Sequence, residues 1–469
     1  MRRPRKAAST SAPARINERP ARMITFLRNT RDTLRVLAQA RDNMVAAWPK
    51  SFYRREFIVE NILGRRLFVV NSPAGVQRVF ITNAANYRKS PTNTATLKPL
   101  LGQGLFVSEG ELWTRQRKVM SPATGPNRLA PYAEVIRECG EETLADWQKR
   151  GGSFEIDINE PFTLCTAEVI SRIMFGYRLG ADGWTLYEAF KEYQTSAGRV
   201  HIAEILGFPE WMPRPGMFAG RRAVAKFDRV LHAIISAARA RGQPEREDLI
   251  QMLLNYRDEK GQPMSPGLVR DEVASIFLAG HETTAITLAW AFYLLDQHRA
   301  VEARVHAEIA RVLAGRTPTI DDLDNLPFCR AVIDETLRLF PPVHVFSRQA
   351  LAEDEVCGHR IPKGAFIIVS SWVLHRHQQW WEEPNEFRPE RFLPENAGKI
   401  NRFAYIPFGT GPRVCLGKHL GLLEANLLFT MIAQRYQLRL KPGHKVEPLG
   451  RMTLRPRWEL PMIVTPRAG

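Results

Sequence analysis

The sequence predicts a mainly α-helical protein with small β-sheets. Eight segments between residues 110 and 340 carry apolar residues at three- and four-residue steps, and Pro-, Gly- or Asp-bearing breaks separate them. Short apolar runs typical of strands lie before and after this region. The longest helical segment, 267–298, would span about 48 Å at the α-helical rise, enough to cross the whole molecule.

An amphipathic helix with an apolar stripe from Leu34 to Trp48 comes first in the chain. The predicted strands lie within 54–71 (two strands around Leu63-Gly64), 345–350 and 365–369. The predicted helices are 127–150, 160–176, 184–200, 220–241, 246–257, 267–298, 299–314 and 328–339. A last helix is expected to begin near Cys415.

The composition is that of a globular protein. Of 469 residues, 44% are apolar and 25% charged, which argues against a disordered, collagen-like or rod-shaped chain. The length alone would suggest about three domains, but no shift in composition marks a boundary. No run of about 18 apolar residues predicts a transmembrane helix, and the start of the chain lacks the apolar segment of a secretory signal. We therefore expect a cytoplasmic protein.

The net charge of +17 is partly concentrated in residues 1–22, which hold seven basic residues and one acid. Three prolines interrupt any amphipathic helix there, so we expect a disordered basic leader, with an organellar transit peptide as the alternative. The remaining positive charge is typical of a solvated surface, and peripheral contact with an anionic membrane is the most that it suggests. No basic motif with interleaved aromatic residues indicates nucleic-acid binding.

The five cysteines are odd in number and form no CxxC pair, which favours reduced thiols. Cys415 lies in the segment Phe-Gly-Thr-Gly-Pro-Arg-Val-Cys-Leu-Gly, residues 408–417, just before the last helix. The glycines allow a tight turn and close approach to a flat ligand. The helix N-terminus favours a thiolate, and Arg413 could pair with a carboxylate of the same ligand. A buried, inert cysteine is the alternative.

This segment resembles the haem-binding loop of the cytochrome P450 family, Phe-Gly-x-Gly-x-Arg-x-Cys-x-Gly. The resemblance covers residues 30–465 and implies one catalytic domain, 23–469, with haem b between a long distal helix and the Cys loop. Cys415 would be the axial thiolate ligand of the iron. The other residues implied to bind the cofactor are Phe408, Gly409, Arg413, Gly417, Trp113, Arg117, Arg348, Ala279 and Gly280, and the arginines among them would neutralise the propionates.

Two further motifs follow the family order. Glu335 and Arg338, an i, i+3 pair, and Arg391 resemble the family's buried charge triad, which holds the fold and the Cys loop. Ala-Gly-His-Glu-Thr-Thr, residues 279–284, resembles the motif at which the distal helix admits dioxygen. Gly280 would remove bulk over the iron, Thr283 would order a water or the dioxygen, and Glu282 would relay protons inward. A threonine that merely bonds back to its own helix is the alternative.

The resemblance implies a monooxygenase that inserts one atom of O2 into an apolar substrate by hydroxylation or epoxidation. The apolar segments expected to line the substrate site include Phe106, Val107, Phe277, Val343, Phe346 and Met452, and they suggest a fatty acid, terpenoid or aromatic compound. The alternatives are a haem-thiolate isomerase or dehydratase, and a haem-based binding protein without turnover.

The chain has no motif for a flavin or an iron–sulfur cluster, and the 54 residues after Cys415 leave no room for a reductase. We expect a monomer that receives electrons from a separate ferredoxin or flavodoxin with its reductase, so that NAD(P)H acts only indirectly. Arg115, Lys118, Arg413 and Lys418 are candidates for the surface that attracts an acidic partner.

Overall fold

The computed structural model describes residues 30–62, 65–196, 217–242 and 248–467, so the predicted leader lies outside the described residues. The helices are α1 (Thr30–Asp42), α2 (Pro73–Gln77), α3 (Pro91–Leu101), α4 (Gly110–Met120), α5 (Leu129–Arg150), α6 (Asn159–Phe175), α7 (Ala181–Ser196), α8 (Met217–Arg241), α9 (Leu249–Asn255), α10 (Pro266–Gln297), α11 (Arg299–Leu313), α12 (Pro327–Leu339), α13 (Ser371–Leu374), α14 (Pro394–Ala397) and α15 (Lys418–Arg435). The strands are β1 (Phe57–Ile62), β2 (Arg65–Val70), β3 (Tyr87–Lys89), β4 (Phe154–Asp157), β5 (Phe346–Ala350), β6 (Asp354–Val356), β7 (His359–Ile361), β8 (Phe366–Val369), β9 (Tyr436–Leu440), β10 (Pro448–Gly450), β11 (Leu454–Pro456) and β12 (Pro461–Pro466).

The predicted fold class is confirmed, and the long helices begin and end within three residues of their predicted bounds wherever the chain is described. The first helix is shorter than predicted. It ends at Asp42, and Val45 lies in a separate 3-10 turn. Leu37 before the break and Val45 after it are both buried, so the apolar spacing continues across the break.

A five-stranded sheet in the order β1-β2-β8-β5-β3 joins strands from residues 57–89 to strands from residues 346–369. β2 pairs in parallel with β8, and the other neighbours are antiparallel. A three-stranded sheet (β4-β12-β9) and two hairpins (β6-β7, β10-β11) complete the described strands. In this way Arg348 on β5 pairs with Lys89 on β3, which places two cations side by side.

The helix α10 runs through the main apolar core. Ser265 caps its N-terminus by accepting a hydrogen bond from the Leu268 N–H at 3.2 Å, and Pro266 occupies the first turn, where no backbone donor is needed. α10 packs most extensively on α6. A Cβ at Gly280 would lie 2.6 Å from Ile170 of α6, so this glycine allows the two helices to approach closely.

The predicted charge triad is assembled in the interior. Arg338 and Glu335 are both inaccessible to solvent and form two hydrogen bonds of 2.6 and 2.7 Å. Arg391 lies 3.4 Å from the same carboxylate. The remaining Arg338 donors bind the carbonyls of His375, Pro384 and Glu386. Because all five donors of this guanidinium have acceptors, its burial is compensated.

Glu335→Gln removes the negative charge but keeps the shape of the side chain. We expect it to lower the free energy of unfolding by about 3–5 kcal/mol, because two buried guanidinium groups lose their counter-charge. Denaturant unfolding followed by circular dichroism measures the loss. Glu353→Gln is the matched control, since Glu353 pairs with Arg360 at the surface, and it should leave the midpoint unchanged. Equal midpoints for the two variants would contradict a stabilising triad.

Candidate functional site

The middle of α10 presents one accessible face to the interior. Ala279 is exposed, although neighbouring positions on the helix such as Phe277 and His281 are buried. Thr283 lies one turn further on the same face, and its hydroxyl donates to the Ala279 carbonyl at 2.9 Å. An exposed alanine in the middle of a helix that crosses the core indicates a cavity beside it.

The segment 408–417, which we call the Cys loop, turns sharply before α15. Gly409 and Gly411 have φ values of +69° and +77°, in the left-handed region that favours glycine. A Cβ at Gly411 would overlap the Phe80 carbonyl, and one at Gly409 would lie 3.4 Å from the Phe346 ring. The loop closes with a hydrogen bond of 2.9 Å from the Cys415 N–H to the Phe408 carbonyl.

The Cys415 side chain has exposed surface although protein packs densely around it. Burial raises the pKa of its thiol, while the Gly417 N–H, Arg117 and Lys418 lower that pKa. Burial therefore opposes ionisation of this thiol, whereas the Gly417 N–H and the two cations favour it.

α15 connects the Cys loop to α10. Its first turns pack on α10 beside Thr284, whose hydroxyl lies 3.9 Å from the position of a Cβ on Gly421. Glu424, one turn further along, also contacts Thr284, and burial raises the pKa of Glu424 to about 8. Because Thr283 precedes this contact point directly, the accessible face of α10 and the Cys loop belong to the same part of the core.

Half-buried cations that form no ion pair within the described residues lie near the site. Burial lowers the pKa of Arg117, and within the described residues its guanidinium makes no hydrogen bond or ion pair. Burial and the charge of Arg413 lower the pKa of Arg348 to about 10. Arg348 donates only to the Ser347 carbonyl at 2.9 Å, as far as the described chain shows. Such uncompensated positive charge favours an anionic ligand.

Arg413 differs from its expected arrangement, because it already has a carboxylate partner in the protein. It pairs with Glu109 and donates to the Ser108 carbonyl at 3.3 Å. Its guanidinium lies 4.2 Å from the centre of the Trp113 ring. Arg413 is therefore partly buried behind Trp113 and is not a surface cation.

Lys89 is a member of this cation cluster that the motif analysis missed. Its ammonium group donates to the carbonyls of Leu105, at 3.2 Å, and Phe106. Burial, together with the charges of Arg413 and Arg348, lowers its pKa to about 7. The sequence signal was weak, since only the pairing of β3 with β5 brings Lys89 next to Arg348.

Glu282 points away from the accessible face of α10, towards α7 and the C-terminal hairpin. It accepts hydrogen bonds from Gln194 and from the Thr453 hydroxyl, the latter at 3.0 Å. Burial raises its pKa to about 7, against the opposing charge of Arg455. Glu282 and Arg455 both line a cavity of about 700 Å³ that reaches the exposed Trp458.

His281 takes no part in this arrangement. It is buried against Phe190 and Phe277, and its Nδ1 lies 2.8 Å from the Phe277 carbonyl. Burial lowers its pKa to about 4, so it is neutral and part of the core.

Two predicted residues lie elsewhere than expected. Phe277 is completely buried against Phe227 and His281, on the other side of α10 from Ala279, so its assignment to the substrate site is wrong. Gly280 faces Ile170 of α6, so its missing side chain serves helix packing and does not clear space over a cofactor.

The other predicted lining residues differ in their exposure. Phe346 packs edge-on against Phe80 and lies beside Gly409 of the Cys loop. Val107 is buried and Phe106 is exposed near Lys89. Val343 and Met452 are half-buried, and Met452 immediately precedes the Thr453 that binds Glu282.

Comparison with known proteins identifies the family. The family model "Cytochrome P450" matches residues 43–457. The chain belongs to the cytochrome P450 family. It is 34% identical over 403 residues to cyclooctatin synthase of Streptomyces melanosporofaciens, covering 85% of this chain and 86% of that protein.

A second curated relative and a solved structure support the same family. Cyclooctat-9-en-7-ol 5-monooxygenase of the same organism is 35% identical over 348 residues, 74% of this chain and 75% of the relative. The crystal structure of the cytochrome P450DA heme domain superposes with a TM-score of 0.78 at 26% identity, over 88% of this chain and 90% of that one. The chain is thus a cytochrome P450 monooxygenase acting on an organic substrate, and its family uses haem iron and O2.

The residues present fit a haem group. A flat ligand with two carboxylates can approach the glycine backbone of the Cys loop, and Lys89, Arg117 and Arg348 supply cations that form no ion pair within the described residues. No cluster of three or more His, Cys, Asp or Glu side chains in the described chain could hold a metal ion by itself. Among the described helices, none combines the length and the apolar character needed to cross a membrane.

Gly411→Ala tests the shape of the Cys loop. The left-handed backbone costs alanine about 1–2 kcal/mol, and the new methyl group also overlaps the Phe80 carbonyl. We expect the purified variant to lose most of its haem, measured from the absorption spectrum.

Gly443→Ala is the matched control, because Gly443 has a φ of +78° but no neighbour within 4 Å of an added Cβ. It should retain its haem. If Gly411→Ala retained as much haem as Gly443→Ala, the contact with Phe80 would not be needed for haem binding.

Proposed function

We propose that the Cys415 thiolate would hold the haem iron and that Ala279 and Thr283 would line the part of the cavity where O2 reacts. The accessible thiol next to α15 and the accessible face of α10 support this assignment. Bound through a cysteine thiolate, the haem iron supplies the activation of O2. Phe408, Gly409 and Gly417 shape the loop around this ligand.

Lys89, Arg117 and Arg348 would bind the haem carboxylates, with Arg413 and Trp113 behind them. The missing counter-charges support this proposal for the first three residues. Arg413, which is already paired with Glu109, would orient Trp113 by stacking and add its remaining donors. The residues from 23 to 469 then form a single catalytic domain, a proposal supported by the hydrogen bonds that join Asn43 near one end to Pro448 and Gly450 near the other.

Glu282 and Thr283 would deliver protons to the cavity. Glu282 lies between the Trp458 cavity and α10, and with a pKa of about 7 it can both accept and donate a proton at neutral pH. Rotation of its carboxyl group away from Gln194 and Thr453 would turn it from the outer cavity towards Thr283. The Thr283 hydroxyl, which now donates to the Ala279 carbonyl, would accept this proton and release its own to a water molecule in the cavity.

A terpenoid is the substrate class that we favour, and the two Streptomyces relatives support it because their names refer to cyclooctatin and cyclooctat-9-en-7-ol. The half-buried Val343 and Met452 offer the apolar contacts that such a ligand needs. These relatives also favour oxygenation over the isomerase, dehydratase and binding-protein alternatives, since one of them is named a monooxygenase.

Glu282→Gln should uncouple electron consumption from product formation. We expect product per electron pair to fall by about 100-fold or more, because the amide cannot donate a proton, with the electrons appearing as hydrogen peroxide. In the unsubstituted protein, the product yield should fall as the pH rises through about 7, where Glu282 loses its proton, and the variant should lack this dependence. The substrate is chosen from terpenoids and fatty acids by the shift of the haem absorption band.

Glu459→Gln is the control, since Glu459 lines the same cavity but is exposed, and its yield should stay normal. An unaltered yield in Glu282→Gln would refute the relay. A screen in which fatty acids but no terpenoids shift the absorption band would overturn the proposed substrate class without affecting the relay.

The P450 family generally uses redox partners, and we propose a separate acidic ferredoxin or flavodoxin for this chain. Arg115, Lys118 and Lys418 are exposed on α4 and at the start of α15, next to the Cys loop. We exclude Arg413, which was predicted to belong to this surface, because it is paired with Glu109. Like charges gathered on one face attract an acidic partner and speed its association.

Lys118→Glu combined with Lys418→Glu should slow reduction by an acidic ferredoxin by about tenfold or more at low ionic strength, and added salt should reduce the difference. Stopped-flow absorption of the haem measures the rate. The control with the same charge change, Lys260→Glu with Lys363→Glu, alters exposed lysines on other loops. Equal rates for the two double variants would refute the proposed surface.

A further inference from the structure

A second cavity of about 660 Å³ is lined by four cations. Lys50, Arg54 and Arg55 come from the turn that precedes β1, and Arg376 follows α13. No aspartate or glutamate is among the described residues that line it, and none of the residues of the haem site takes part. We call it the basic pocket.

Arg376 forms the floor of the basic pocket and is 93% buried, with 7% of its surface accessible. Its guanidinium lies 3.5 Å from the centre of the Trp372 ring and donates to the Leu339 carbonyl. Burial and the charge of Arg338 lower its pKa to about 9. Within the described chain Arg376 forms no ion pair, whereas Arg338 nearby has a complete one with Glu335.

The acids closest in sequence to the basic pocket, Glu56, Glu383 and Glu386, do not line it. Glu56 accepts a hydrogen bond from Gln379 at 3.1 Å, and Glu383 pairs with Arg388 at 2.5 Å. Within the described residues, none of the four cations that line the pocket forms an ion pair with an acid, so the pocket keeps a net positive charge. A buried guanidinium under these conditions is stabilised by an external anion.

The pocket also offers a neutral donor. The Tyr53 hydroxyl accepts a hydrogen bond of 2.9 Å from the Trp372 indole N–H, and in the described chain its own hydrogen has no acceptor. It can therefore donate to an oxygen of a ligand in the pocket. Several cationic donors and one hydroxyl donor around a single cavity match the oxygens of phosphate, which accepts several charge-assisted hydrogen bonds at once.

We propose that the basic pocket binds the phosphate groups of a small polyanion, for which inorganic pyrophosphate is the simplest probe. Arg376 would bind the inner phosphate together with Tyr53, and Lys50, Arg54 and Arg55 would bind the outer one. The ligand would also connect the turn before β1 with the segment after α13. This function is independent of the haem site.

Titration calorimetry of the haem-loaded protein with pyrophosphate tests the proposal. We expect saturable binding of one molecule per chain. Lys50→Glu with Arg54→Glu should weaken it at least tenfold, and both positions are exposed, so the fold is preserved. Tyr53→Phe should weaken it without changing the charge. Lys260→Glu with Lys363→Glu, which has the same charge change at distant exposed sites, should bind normally.

Absence of saturable binding would overturn the proposal, and so would equal losses in the two double variants, which would indicate attraction by the net charge alone. Co-sedimentation with phosphatidylcholine vesicles, with and without phosphatidic acid, identifies the source of the phosphate. Binding to the acidic vesicles that pyrophosphate displaces and Lys50→Glu with Arg54→Glu abolishes would assign a lipid headgroup. Pyrophosphate binding without vesicle binding would assign a free phosphate compound.

Discussion

The arrangement of the site depends on the ion pairs that the Glu335 carboxylate forms. This carboxylate binds Arg338 within α12 and reaches Arg391 in the segment that leads to the Cys loop. Arg338 in turn binds three carbonyls, including those of Pro384 and Glu386 in the same segment. An ion pair in the core contributes little net stability compared with apolar packing. In this protein the ion pair matters for geometry. The buried charges are compensated in only one arrangement, and this arrangement fixes the path of the segment that leads to the Cys loop.

A second group of charges lies around the haem site, and these charges differ from the first group because they lack ion-pair partners. Lys89, Arg117 and Arg348 are held in the interior by packing and strand pairing, without ion pairs in the described chain. The protein alone therefore carries an electrostatic cost there, which a dianionic ligand offsets. Binding of the cofactor and stability of the fold are consequently linked, since a ligand that binds only the native state stabilises it by mass action.

Local patterns predicted most of the fold, and the motif around Cys415 predicted the family, whereas the contacts between distant residues could not be predicted. The bounds of α10 followed from periodicity and from the breaks on either side of it, because a helix of this length has a strong repeat. The pairing of Arg413 with Glu109 could not be predicted, since it joins residues far apart in sequence. Apolar spacing also cannot distinguish a side chain that faces the core from one that faces a cavity, which is why Phe277 was assigned wrongly. Strands as short as β10 and β11 carry too few residues for a recognisable alternation.

The parallel pairing of β2 with β8 has a consequence for biosynthesis. Leu67 pairs with Phe366, so the hairpin made early in translation has no partner until almost the entire polypeptide has left the ribosome. During that interval one edge of β2 exposes backbone groups and the side chains of Phe68 and Val69, a template for association with other nascent chains. The late closure of this sheet makes the protein dependent on slow, long-range contact formation, and chaperones that shield the hairpin would govern how much of it reaches the native state.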